Sequence, residues 1–108
     1  MTVDAPELSP AEAAARLRDE DGWQVIDVRT PAERPDGVIA GDALIPLDEL
    51  GARAGEIDPE RPTLVYCRSG ARSAMAVAAL RGAGYDAHNL AGGMLAWLEA
   101  GLPVAPSA

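Results

Sequence analysis

The chain has 108 residues, of which 48% are hydrophobic and 4% aromatic, and its formal net charge is −8. This length fits one compact domain and excludes two, so we expect residues 1–108 to form a single domain. The acidic balance argues against nucleic acid or an anionic membrane as a partner. All nine basic residues are Arg, which excludes Schiff-base catalysis by Lys and the lysine of a P-loop.

Cysteine and histidine each occur once in the sequence. A single Cys cannot form an internal disulfide, and one Cys with one His cannot complete a zinc site, so we expect no metal and no cofactor. A reducing, cytoplasmic compartment is therefore predicted. The segment from Met1 to Ser9 contains Asp4 and Glu7 and no apolar run, which predicts no signal peptide. The longest apolar run, 74–80, is far short of the ~20 residues that span a bilayer.

The first half of the chain predicts one well-defined helix and two short strands. Ser9, Pro10 and Glu12 have the spacing of a capping box, which predicts a helix over about 11–18. Val25, Ile26 and Val28 form a short, mostly apolar run, which predicts a strand that is buried on both faces. The segments that follow are predicted as a loop with one helical turn (30–41), a strand (43–45), a short helix (47–52) and a loop (55–62).

The second half repeats the alternation of strand and helix. A β-rich run, Thr63–Tyr66, is followed by a helix over about 73–81 that Gly82 and Gly84 end. The remaining elements are predicted as a strand (Ala87–Leu90) and a last helix (94–100). Strands that alternate with helices at this spacing predict an α/β domain with a parallel sheet covered on both faces.

The segment around Cys67 carries the chemistry of the chain. A hydrophobic strand ends at Cys67, a loop containing Gly70 follows, and a helix begins near Ser73. Loop N–H groups, the helix N-terminus and the two cations Arg68 and Arg72 all favour an anion there. Such surroundings lower a cysteine pKa from ~8.5 to between ~3.5 and 7.5. Cys67 is therefore predicted to be a thiolate nucleophile suited to a sulfane-sulfur donor, rather than a small buried core residue.

Three sequence blocks, in order, give the chain its resemblance to the rhodanese homology domain, over about 8–104. They are 26–29 with Pro31 and Glu33; 67–73; and 90–94 with Ala96, Trp97, Gly101, Pro103 and Val104. The resemblance implies a three-layer fold with a five-stranded parallel sheet flanked by helices. It also implies a sulfurtransferase that moves sulfur from a donor such as thiosulfate or a persulfide to cyanide, a thiol or a partner protein. We expect a monomer or a weak dimer.

The resemblance also assigns roles within the second block. Cys67 is the residue expected to carry the persulfide. The backbone that cradles its outer sulfur is expected to come from Arg68, Ser69, Gly70, Ala71, Arg72 and Ser73. The guanidinium groups of Arg68 and Arg72 are the expected partners of an anionic donor.

The chain departs from the family pattern between its first two blocks. The common His and Asn of this region are replaced by Val38 and Leu44, and an aromatic residue common after Glu33 is replaced by Arg34. Those side chains usually brace loops around the site, so we expect these replacements to affect the catalytic efficiency and the fit of the substrate.

Three other charged residues and the single histidine are assigned structural roles. Asp27 and Arg29 lie at the carboxyl end of a buried strand near the expected site, and we expect them to brace loops there, with Glu33 among their partners. His88 lies in a short predicted strand outside the three blocks, so a structural or partly exposed histidine is favoured over a general base.

Two alternatives to a sulfurtransferase remain. A phosphatase or arsenate reductase of this fold uses a Cys-x5-Arg loop, whereas here Ser73 occupies that position and Arg72 comes one residue earlier. A non-catalytic interaction module is the other alternative, although such domains usually lack the cysteine that this chain retains.

Overall fold

A computed structural model describes residues 5–107 and forms one parallel sheet with the strand order β1-β5-β4-β2-β3. The strands are β1 (Glu7–Leu8), β2 (Gln24–Asp27), β3 (Ala43–Leu44), β4 (Thr63–Tyr66) and β5 (Ala87–Leu90). The helices are α1 (Pro10–Asp19), α2 (Leu50–Arg53), α3 (Ala71–Gly82) and α4 (Gly93–Glu99). The prediction of no signal peptide rests on the segment from Met1 to Ser9, of which residues 1–4 lie outside the described residues.

The two faces of the sheet are covered by different helices. Val65 on β4 and Cys67 just beyond it belong to a buried cluster shared with α2 and α3. Leu64 and Tyr66 point the other way and belong to a cluster shared with α1 and α4. This alternation follows from the two-residue period of a strand that is buried on both sides. The predicted three-layer fold with five parallel strands is confirmed.

The predicted capping box at the start of α1 is present. The Ser9 hydroxyl accepts a hydrogen bond from the Glu12 N–H at 3.1 Å, and the Glu12 carboxylate accepts one from the Ser9 N–H at 3.0 Å. Because these bonds satisfy two N–H groups that no helical carbonyl can reach, α1 begins directly after Ser9, at Pro10, one residue before the predicted range of about 11–18.

Several boundaries differ from the sequence-based prediction. The strand β1 was not predicted because two residues show no periodicity; it pairs with β5. α3 begins at Ala71, two residues earlier than expected, because Gly70 takes a left-handed conformation with φ +100° and turns the chain directly into the helix. The segment after β3 is a series of 3₁₀ and α turns that extends to Glu56.

Two further features bear on expectations made from the sequence. His88 Nε2 lies 2.8 Å from Asp86 Oδ1, so this histidine has an acidic partner that the sequence did not indicate. Among residues 5–107, none of the helices combines the length and the apolar composition that a bilayer crossing requires.

Candidate active site

The Cys67 thiol lies at the carboxyl edge of the sheet, inside a ring of hydrogen-bond donors. The Gly70 N–H donates to Sγ at 3.1 Å, and the Ser73 hydroxyl donates to it at 3.3 Å. The Cys67 side chain is fully buried. A buried sulfur that accepts hydrogen bonds from its own loop is arranged to hold negative charge.

The pKa of Cys67 reflects a competition between burial and these donors. Burial raises the pKa of the thiol, because a charged sulfur loses its hydration. Hydrogen bonds from the Ser73 hydroxyl and from the N–H groups of Ser73, Gly70 and Ser69 lower the pKa by more, so the net shift is downward. The thiolate is therefore favoured relative to an ordinary cysteine.

The start of α4 supports the loop from its carbonyl side. The N–H groups of Met94 and Leu95 donate to the carbonyls of Cys67 and Arg68 at 2.9 and 3.0 Å. A Cβ atom on Gly93 would lie 2.5 Å from the Arg68 carbonyl oxygen, and this residue has φ +61°. Only glycine allows this approach, which directs the loop carbonyls away from the thiol and leaves its N–H groups to face Sγ.

Asn89 on β5 is a further support that sequence reasoning missed. Its buried Nδ2 donates to the Gly70 carbonyl at 3.1 Å and to the Glu7 carboxylate, also at 3.1 Å. Its Oδ1 atom is buried and has no hydrogen-bond partner within residues 5–107. An Asn in the middle of a buried strand is unusual, and this was the available signal for a role in fixing the loop.

Arg72 is already paired in this structure. Its guanidinium donates to both carboxylate oxygens of Glu33, at 2.7 and 2.8 Å. This contact with Arg72, together with bonds from Thr30, lowers the pKa of Glu33 to about 2. Glu33 is therefore charged at neutral pH, and it compensates one of the two cations that the sequence assigns to an anionic donor.

Arg68 differs from Arg72 in its surroundings. Its side chain is exposed and makes no hydrogen bond or ion pair within the described part of the chain. Ser69 and Ala71 are also exposed. Arg68 therefore supplies a positive charge at the loop surface that no carboxylate compensates within the described residues.

Asp27 and Arg29 form a buried ion pair at the end of β2. Arg29 Nη2 lies 3.0 Å from Asp27 Oδ2, and the Arg29 backbone N–H donates to Oδ1 at 2.9 Å. The guanidinium also donates to the carbonyls of Gly37 and Glu33. Glu33 thus contacts this pair through its backbone, whereas its carboxylate contacts Arg72. The geometry suits the bracing of loops that the sequence suggested for this pair.

A second set of polar contacts joins Arg34 and Asp42 to β4. Arg34 Nη1 lies 2.9 Å from both Asp27 Oδ2 and Asp42 Oδ2. The Tyr66 hydroxyl donates to Asp42 at 2.6 Å and accepts from the Ile39 N–H at 3.3 Å. Burial and the neighbouring carboxylates raise the pKa of Tyr66, so its hydroxyl stays protonated as a donor. Arg34 stands at a position where the family commonly has an aromatic residue. Its pairing with Asp42 could not be predicted without the fold.

We expect Ser73→Ala to raise the pKa of the Cys67 thiol, because it removes the side-chain donor to Sγ. The rate of alkylation by iodoacetamide, measured against pH, reports this pKa. The wild-type midpoint is expected below ~8.5, the value for free cysteine, and the midpoint of the variant is expected to be higher. Ser69→Ala is the matched control, because the Ser69 side chain is exposed and only its backbone N–H contributes to the pKa of Cys67. Identical midpoints in all three proteins would contradict the role assigned to Ser73.

The protein is a parallel α/β domain that holds one cysteine in a ring of hydrogen-bond donors at the carboxyl edge of its sheet. Residues 9–100 match the family model described as a rhodanese-like domain. The chain therefore belongs to the rhodanese-like domain family.

Individual relatives agree with this assignment. A sulfurtransferase of Allochromatium vinosum is 39% identical over 99 residues, which cover 91% of this chain and 92% of that protein. Thiosulfate sulfurtransferase GlpE of Pseudomonas putida is 34% identical over 89 residues, or 82% and 81% of the two chains. The crystal structure of a rhodanese-related protein from Thermoplasma volcanium has a TM-score of 0.88 at 30% identity, covering 94% and 99% of the two chains. Several other relatives are longer, and the chain spans between 24% and 60% of their length.

Proposed function

We propose that this chain transfers sulfane sulfur by way of a persulfide on Cys67. The observation that carries the proposal is the ring of donors around Sγ, in which Gly70 and Ser73 stabilise the thiolate. The relatives from Allochromatium vinosum and Pseudomonas putida, which match this chain over 92% and 81% of their own length, are named as sulfurtransferases. Their names support sulfur transfer as the activity.

In the first half-reaction, the Cys67 thiolate attacks the outer sulfur of the donor. With thiosulfate, a bond forms between Sγ and that sulfur, the bond between the two sulfur atoms of thiosulfate breaks, and sulfite leaves with the electron pair. Arg68 is the cation available to the anionic donor, because Arg72 is paired with Glu33. The N–H groups that face Sγ can then hold the terminal sulfur of the persulfide.

In the second half-reaction, an external nucleophile takes the terminal sulfur and regenerates the thiolate. Cyanide would leave as thiocyanate, and a thiol would leave as its own persulfide. The sequence has one cysteine, so it offers no second thiol that could take the terminal sulfur as its own persulfide or expel it as hydrosulfide by forming a disulfide. The acceptor must therefore come from outside the chain.

The burial of Cys67 limits what can reach it. Because Sγ is fully covered in this structure, a donor reaches it only when the covering groups shift. A single projecting sulfur requires a smaller shift than a tetrahedral phosphate ester. Ser73 also occupies the sequence position at which a Cys-x5-Arg loop has its arginine, and its hydroxyl donates to Sγ at 3.3 Å, so sulfur transfer is favoured over phosphatase chemistry.

Intact mass spectrometry after treatment with thiosulfate tests the proposal. We expect a gain of one sulfur atom on the protein, and we expect cyanide to remove it. Cys67 is the only cysteine, so the adduct maps to one site. A parallel assay with p-nitrophenyl phosphate is expected to show negligible turnover. Rapid phosphate release without any sulfur adduct would support a phosphatase instead, and the absence of both activities would support an interaction module.

A further inference from the structure

A cleft of about 330 Å³ adjoins the Cys67 loop at the carboxyl edge of the sheet. This edge cleft is lined by Val28, Thr30, Pro46, Leu47, Asp48 and Arg72. Val28 belongs to the same buried cluster as Cys67, and Arg72 directly precedes Ser73, whose hydroxyl contacts Sγ. The edge cleft is therefore placed to hold the unreactive part of a molecule whose sulfur approaches Cys67.

The walls of the edge cleft are mainly apolar and held in place. Val28, Pro46 and Leu47 supply hydrocarbon, and the Leu47 N–H donates to the Val28 carbonyl at 3.1 Å. This bond ties the segment after β3 to the end of β2. The volume lies at the small end of the range for ligand sites, which suits a short alkyl chain. Thiosulfate has no group that would bury this apolar surface.

The charge of the edge cleft is set by two residues. Arg72 is compensated by the carboxylate of Glu33, which lies 2.7 Å away. Asp48 is exposed and has no hydrogen bond or ion pair within residues 5–107. Arg68, the cation without a carboxylate partner, is not among the lining residues. The uncompensated charge in the edge cleft is therefore negative.

We infer that the sulfur donor of this site is the persulfide of a small aminothiol, with its alkyl chain against Val28 and Leu47 and its ammonium group near Asp48. This inference rests on the proposed function and names the class of its donor. A short carbon chain matches the apolar walls, and a cation matches the carboxylate that lacks a partner. A dianion such as thiosulfate would instead be repelled by the uncompensated negative charge of Asp48 in the edge cleft.

The transfer step from such a donor is balanced without any further reactant. The Cys67 thiolate attacks the outer sulfur of RS–SH, and a bond forms between Sγ and that sulfur. The bond between the two donor sulfur atoms breaks, and the electron pair leaves with the thiolate RS⁻. The proton stays on the transferred sulfur, so the products are the Cys67 persulfide and the aminothiolate.

Loading of Cys67 by two donors of matched length tests the inference. The donors are cysteamine persulfide, which carries an ammonium group, and the persulfide of 3-mercaptopropionate, which carries a carboxylate. Rates of sulfur addition are followed by rapid quench and intact mass spectrometry for wild type and Asp48→Asn. Because the two leaving thiols differ in basicity, the quantity compared between proteins is the ratio of the two rates.

We expect Asp48→Asn to reduce the preference for cysteamine persulfide by about three- to tenfold. Loading by thiosulfate is expected to become faster in the same variant.

Glu60→Gln is the matched control, because it removes one exposed carboxylate just before β4, at the opposite edge of the sheet. We expect its rate ratio to equal that of wild type. An equal fall in the ratio for both variants, or no fall in Asp48→Asn, would overturn the inference and leave the proposed function intact. If no donor loads Cys67 of the wild-type protein, the proposed function itself is wrong.

Discussion

Replacement of Cys67 by Ser is expected to lower the rate of sulfur transfer from thiosulfate to cyanide by a factor of at least about 10³. A serine hydroxyl is protonated at neutral pH, and the donors from Gly70 and Ser73 that suffice for a thiolate are too weak to ionise it. The variant therefore lacks both the nucleophile and the atom that carries the sulfur. Formation of thiocyanate measures the loss directly.

The fold of Cys67→Ser is expected to persist, because the smaller hydroxyl accepts the same hydrogen bonds from Gly70 and Ser73. Ser69→Ala is a suitable control, since the Ser69 side chain is exposed at the same loop. Circular dichroism and thermal unfolding separate a folding defect from a chemical one. Thiocyanate formation by a well-folded Cys67→Ser protein at more than about 1% of the wild-type rate would exclude the persulfide mechanism.

The second large effect is expected for Asp27→Ala, which should lower the free energy of unfolding by about 3–5 kcal/mol. Asp27 and Arg29 are both buried, with side-chain exposures of 0% and 1%. Removal of the carboxylate leaves the Arg29 guanidinium buried without its counter-charge, and Arg34 also loses a partner. Since the free energy of unfolding of native proteins is only ~5–15 kcal/mol, such a loss is a large fraction of the stability of the domain. Urea unfolding measures it.

Asp19→Ala is the matched control for this prediction. Asp19 also pairs with an arginine, Arg18, but the two side chains are 60% and 68% exposed. Exposed ion pairs contribute up to about 1 kcal/mol, so a small change is expected. Should Asp27→Ala prove too unstable to purify, Asp27→Asn keeps the size and one acceptor and is expected to lie between the two. Equal losses for Asp27→Asn and Asp19→Ala would contradict the assigned role of the buried pair.

The centre of the candidate site was predictable because it is local in the chain. The strand that ends at Cys67, the glycine at position 70 and the start of α3 lie within a few residues of one another. The contact between Ser73 and Sγ spans six positions. Short-range geometry of this kind depends on turn residues and helix starts, which leave a signature in the sequence.

The contacts that surround this centre are not local. Arg72 and Glu33 are separated by 39 positions, and Asn89 is 19 positions from Gly70. The sequence suggested Glu33 as a partner of Asp27 and Arg29, yet its carboxylate contacts Arg72 and only its carbonyl contacts Arg29. The order of the strands in the sheet determines which acidic and basic side chains come into contact.

The α/β class, the parallel sheet, the capped start of α1 and the position of the candidate nucleophile, Cys67, could all be predicted from the sequence, because periodicity, capping and turn chemistry act over short distances. The three-dimensional contacts were needed to show that Arg72 is paired while Arg68 is not, and that the edge cleft has apolar walls with Asp48 among its lining residues. The pairing of Arg34 with Asp42 was also decided at that level. The physical reason is that charge compensation and cleft shape arise between segments distant in the chain, and no local pattern specifies which of them become neighbours.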